Sequence, residues 1–262
     1  MGIKSSFQHG KMRFFKILHF LSLDVVLGAV SMHLMVFHVI LGRWSPWEFS
    51  TLLAAAVFLV YGMDRQIDNL TSEPKDELHA FHAKFRALLF LGMGLVLIFS
   101  GFVLLTMERL LIGLGLCLFF TVLIYWIAWV KNVFDSIWGL KEVGTASIYS
   151  LGILIPTIAS DGFSIPLVII ELTLFLVALL NLWLFTSIEM AGMRQRVLGL
   201  LCLLPCWLFC AILLGLPISI LVIMGLVWGI HVGIYYFRPW IPMRLWAEWA
   251  FASPLIYLLC NL

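Results

Sequence analysis

Asp64 and Asp68 stand four residues apart in the stretch Tyr61 to His82, which reads YGMDRQIDNLTSEPKDELHAFH. On a helix, side chains three and four apart share a face. The two carboxylates would then lie one turn apart, with Tyr61 joining them from the preceding turn. Paired carboxylates at the mouth of a membrane helix suit a hard cation. Mg²⁺ takes oxygen ligands, keeps part of its water shell and commonly shares the remaining positions with substrate phosphates. With Glu73, Asp76 and Glu77, the stretch holds five of the chain's 14 acidic residues. A solvated loop between two membrane helices has the same composition, so both readings stand at this point.

A second polar set closes a later apolar run, Asn181-Leu182-Trp183-Leu184-Phe185-Thr186-Ser187-Ile188-Glu189. Asn181 and Glu189 are eight apart and line one helix face, where they could present a second ligand set to the first. The simpler reading is a helix-end carboxylate and an asparagine that hydrogen-bonds between helices. Asp24, Glu171 and Glu248 also lie in apolar runs, where ionisable groups are costly and usually face a cavity or a partner. Asp24 and Glu248 sit near helix ends, and exposure to headgroups explains them as well as function does. Glu171 is expected to reach the opposite interface. His33 and His38, five apart, do not share a face and are read as packing residues. Cys202, Cys206 and Cys210 do share one, and are read as small residues packed between helices. The five cysteines form no CxxC pair and no disulfide framework. The chain has no phosphate-cradling glycine loop, nucleophile elbow or HExxH.

The surroundings of these residues set the class. Hydrophobic residues make up 63% of the 262 and charged residues 11%, against about 25% charged in soluble domains. Mean hydropathy is +1.09. This predicts an all-α polytopic membrane bundle, with residues 1–262 as one integral-membrane domain. A net charge of +2 offers no reason to expect a nucleic-acid partner; the expected surroundings are membrane lipid.

Apolar runs predict helices at about 17–42, 48–63, 86–107, 110–130, 143–160, 164–188 and 244–261. Ala29-Val30-Ser31 loosely imitates a signal-peptide cleavage site, but Asp24 interrupts the first run and the run continues well beyond it. Residues 197–237 are uncharged for 41 residues. As one helix they would extend about 60 Å, twice the roughly 30 Å hydrocarbon core. They must form a hairpin, turning at Gly215-Leu216-Pro217, which brings the expected count to nine helices. With the N-terminus cytoplasmic, 14 of the 16 Lys and Arg fall on cytoplasmic segments and only Arg43 and Arg109 outside. That asymmetry follows the positive-inside rule and puts the acidic stretch on the cytoplasmic face.

Nine helices with an Asp-rich segment after the second resemble the UbiA superfamily of intramembrane prenyltransferases. That family carries NDxxDxxxD after helix two and a second motif, often DxxxDxxxD, after helix six. Asp64 and Asp68 match the last two acids of the first motif, with Tyr61 in the place of the first. In the second, Phe185, Glu189 and Met193 occupy the acidic places, so only Glu189 is retained; Met193 would lie one turn beyond it on the same face. Lys141-Glu142 resembles the polar loop before the fifth helix. The resemblance implies a UbiA-like fold and Mg²⁺-dependent transfer from an allylic prenyl diphosphate to an aromatic or lipid-like hydrophobic acceptor. It implies Asp64, Asp68 and Glu189 as metal ligands and catalytic residues. Asn181 and Tyr61 would contact substrate, and Arg65, Lys141 and Arg194 are candidate phosphate contacts by charge and side of the membrane. The loss of two acids from the second motif also admits a non-catalytic relative that transports or binds lipid. The expected location is a bacterial inner membrane.

Overall fold

A computed structural model describes residues 17–71, 77–131, 139–189, 193–237 and 243–261. These residues form helices and turns, with no strand among them. Following the chain, the helices are α1 (Leu23–Leu41), α2 (Trp47–Thr71), α3 (Glu77–Lys84), α4 (Arg86–Leu104), α5 (Arg109–Val130) and α6 (Leu140–Asp161). They continue as α7 (Ile165–Glu189), α8 (Met193–Leu213), α9 (Ile218–Phe237), α10 (Met243–Ala250) and α11 (Pro254–Asn261). Eight of them, α1, α2 and α4 to α9, are long and apolar enough to cross a membrane. The chain is a multi-pass integral membrane protein. Helices suit that setting because each backbone N–H and C=O finds its partner within the segment.

The hairpin within 197–237 turns where glycine and proline predict. The Gly215 N–H donates to the Ile212 carbonyl at 3.0 Å and the Leu216 N–H to the Ala211 carbonyl at 2.9 Å. Gly215 has φ +82°. This is the Schellman end, in which a left-handed residue lets two late N–H groups satisfy helix-terminal carbonyls. Pro217 then prevents continuation. The expected ninth helix, by contrast, is broken. Bonds from N–H to the third residue back run from Phe251 to Ser253, and Pro254, with no N–H to give, starts α11.

The pair α10–α11 nevertheless follows α1 along its length. Glu248 meets His19 just before α1, Phe251 lies against Gly28, and the Tyr257 hydroxyl is 2.7 Å from His38 Nδ1 near the far end. At Gly28 a Cβ would fall 2.8 Å from the Phe251 Cβ and 3.3 Å from its carbonyl carbon. Gly28→Ala should therefore push α1 and α10 apart and destabilise the protein by about 1–3 kcal/mol, as overpacking typically does. Thermal unfolding in detergent reads this directly, and an unchanged midpoint would contradict the packing of Phe251 on α1.

The core lies where α1, α6, α7, α8 and α9 meet, around Met32, Met35, Ile153, Ile170, Leu174, Leu204 and Met224. The most apolar windows of α1 and α7 are 56% buried, whereas those of α4 and α5 are 17% buried. The first two helices are therefore central and the second two peripheral, with α4 held mainly by α2 and α5 mainly by α6. Exposed Leu91, Leu95, Phe119 and Phe120 on the peripheral helices present a surface compatible with lipid.

Candidate functional site

Helix α2 runs beyond the predicted end at residue 63, through Asp64 and Asp68 to Thr71. The one-turn spacing assumed from the sequence is therefore real in the backbone. Tyr61, one turn before Asp64, lines a cavity between the helices. Thr145 and Tyr149 of α6, Asn181 of α7, and Glu248 and Phe251 from the C-terminal end line it too. About 30 Å³ of it is open to the centres of water molecules, where one water needs about 10–15 Å³. That is room for about two or three waters. Asn181 is fixed at the wall: its side-chain amide lies 3.0 Å from Nε2 of His231, whose Nδ1 donates to the Val227 carbonyl at 2.7 Å.

Of the residues singled out from sequence, Tyr61, Asn181 and Glu248 meet at this cavity. Asp64 is half-buried on the same face of α2, and Arg65 is buried beside it. Asp68 and Glu189 fall within α2 and α7, but their side chains lie outside the described residues. Lys141 and Arg194 do not line the cavity. The Lys141 ammonium sits 3.0 Å from the centroid of the Trp129 ring, a cation–π contact. Arg194 Nε donates to the Tyr235 hydroxyl at 3.1 Å. Glu142, in the first turn of α6, accepts from the Thr186 hydroxyl at 3.0 Å, tying α6 to α7.

Three expectations are corrected, and one open alternative is decided. Asp24 and Glu248 are 1% and 6% exposed, so neither is a headgroup-facing acid. Glu171 turns inward instead of reaching the interface, and its Oε1 accepts from the Ser150 hydroxyl on α6 at 2.6 Å. Cys202, Cys206 and Cys210 are exposed and do not pack between helices. Met193 does not extend the face of Glu189: α7 ends at Glu189 and Met193 begins α8, where it is 1% exposed. His33 and His38 are packing residues as expected. His33 is fully buried, with its ring nitrogens 2.8 Å from Ser45 Oγ and 3.3 Å from the Ile153 carbonyl.

One constellation was not assembled from the sequence. Ser22 takes a left-handed conformation, φ +57°, uncommon for a residue with a Cβ. It breaks the expected 17–42 helix, and the preceding turn brings His19 back against the start of α1. There His19 Nδ1 lies 2.8 Å from Asp24 Oδ2 and 2.8 Å from Glu248 Oε2. Burial disfavours the charged imidazole, but the hydrogen bonds to Asp24 and Glu248 outweigh it and hold His19 up at about 9. Glu248 belongs both to this group and to the cavity wall. The sequence signal was present in two acids within apolar runs, but nothing local to either pointed to the other or to His19.

Neither the protein-family models, the curated proteins nor the solved structures include a match to this chain.

Proposed function

We propose that this chain is a UbiA-like intramembrane prenyltransferase, acting on an allylic prenyl diphosphate and an aromatic or lipid-like acceptor. The observation that supports the reading most is the convergence of Tyr61 and Asn181 on one cavity. Each belongs to the helix face on which an acidic motif was read, Asp64 and Asp68 beyond Tyr61 and Glu189 beyond Asn181. In this reading Asp64 and Asp68 on α2 and Glu189 on α7 would hold a diphosphate between them at this largely apolar cavity. Two carboxylates one helical turn apart fit Mg²⁺, a hard cation that prefers oxygen donors. When bound, the ion would supply charge stabilisation for the departing diphosphate.

In that reaction the allylic carbon–oxygen bond breaks, diphosphate leaves with the electron pair, and the allylic carbon bonds to the acceptor, which loses a proton. Arg65, next to Asp64 on α2, is a candidate cationic contact for the diphosphate. Lys141 and Arg194 would have to leave their present partners to reach it. The cavity admits only a few waters, so entry of a prenyl donor requires its lining helices to separate. In this reading α10–α11, running alongside α1, serves as the ninth crossing. In this reading the N-terminus is cytoplasmic, in line with the distribution of Lys and Arg, and the membrane is a bacterial inner membrane.

A second reading, a cation pathway or lipid-binding protein without catalysis, is favoured by one observation, the small water-sized cavity beside buried acids. Purified protein separates the two. The enzyme reading expects Mg²⁺-dependent binding of an unreactive prenyl thiodiphosphate and Mg²⁺-dependent diphosphate release from the allylic substrate. Neither binding nor release, across chain lengths, leaves only the second reading.

A further inference from the structure

We propose that His19, Asp24 and Glu248 form a binding site for a divalent first-row transition cation such as Mn²⁺. The three offer one imidazole nitrogen and two carboxylate oxygens, and a ligand atom from each lies within 4.8 Å of the others. A metal bound through nitrogen and oxygen sits about 2.0–2.2 Å from each ligand, which spaces the ligands about 3–3.6 Å apart. His19 Nδ1 is already 2.8 Å from both carboxylate oxygens, so small outward shifts would admit an ion. As it stands, the single proton that Nδ1 can carry must serve two carboxylate oxygens at equal distance. A dication in its place would address all three ligand atoms at once.

The surroundings favour such an ion. Asp24 Oδ1 accepts from the Val25 N–H at 3.0 Å, which turns Oδ2 toward His19, the kind of outer contact that orients metal ligands. The side chains of Asp24 and Glu248 are nearly or fully buried and that of His19 is 11% exposed. A neutral imidazole, two carboxylates and a dication sum to zero charge, the state that burial favours. Glu248 also lines the water-sized cavity, which can supply water to the remaining coordination positions. Three protein ligands leave coordination positions open, as catalytic rather than purely structural metal sites do. The ligand set includes neither Asp64 nor Asp68, and the proposal does not rest on the prenyltransferase reading.

The test is Mn²⁺ titration of the full chain, purified in detergent and stripped with chelator, followed by electron paramagnetic resonance. Mn²⁺ suits carboxylate better than thiolate, so the exposed cysteines contribute little. The expected result is one bound Mn²⁺ whose spectrum shows coupling to an imidazole nitrogen. His19→Gln should lose that coupling, and Asp24→Asn and Glu248→Gln should each raise Kd at least about tenfold. An ion held by Asp64 and Asp68 would persist in all three variants, which separates the two sites. If His19→Gln does not fold, the wild-type protein still decides, since bound ligand raises its melting temperature. Nitrogen-coupled Mn²⁺ with a higher melting temperature supports the site. A wild-type spectrum without nitrogen coupling, or coupling of full amplitude in folded His19→Gln, overturns it.

Discussion

Asp64→Asn is expected to leave the protein folded and to lower Mg²⁺-dependent turnover of an allylic prenyl diphosphate by about a hundredfold or more. A metal that stabilises a leaving diphosphate contributes several kcal/mol, and each 1.36 kcal/mol is about tenfold in rate. The substitution keeps the side chain's size and removes the charge the cation needs. Helix α2 spans 25 residues, about 38 Å at 1.5 Å per residue, longer than the roughly 30 Å hydrocarbon core. Its last turns can therefore project from the membrane, which is where a water-soluble cation and a diphosphate headgroup can arrive. Asp64 is half-buried, and Tyr61, one turn earlier on α2, lines the cavity. Asp68→Asn should behave alike if the two act as a pair. The measurement is turnover against Mg²⁺ concentration, with the melting temperature as control. Parental turnover in both variants would return the acidic stretch to a solvated helix end.

Met193→Asp is expected to destabilise the protein by about 3 kcal/mol or more, because it places a carboxylate where only a thioether is accommodated. The sequence pattern alone argues the reverse, that an acid here would rebuild a pair with Glu189. That pairing needs both residues on one helix, and α7 ends before Met193 begins α8. Met193 is 1% exposed, and an unpaired ion at such a position loses several kcal/mol of hydration. Met193→Leu, close in volume, should change stability by less than about 1.5 kcal/mol. Unfolding of the two variants in the same micelles makes the comparison. Parental stability in Met193→Asp together with tighter Mg²⁺ binding would mean that position 193 does face Glu189.

What the sequence by itself determined is the class and the course of the chain. Uncharged runs define membrane helices because unsatisfied backbone is not tolerated in hydrocarbon, and Gly215 with Pro217 marks a turn because one takes φ > 0 and the other cannot continue a helix. The one-turn spacing of Tyr61, Asp64 and Asp68 was legible for the same local reason. Tertiary structure decided which side chains point inward. In a membrane, lipid and protein interior are both apolar, so periodicity does not separate buried from lipid-facing positions. That is why Cys202, Cys206 and Cys210 could be read as packed and are exposed, and why Glu171 could be read as interfacial and meets Ser150. The group of His19, Asp24 and Glu248 depends on a left-handed Ser22 and on a helix from the far end of the chain lying along α1. Contacts across that sequence separation are made by packing, and local pattern carries no record of them.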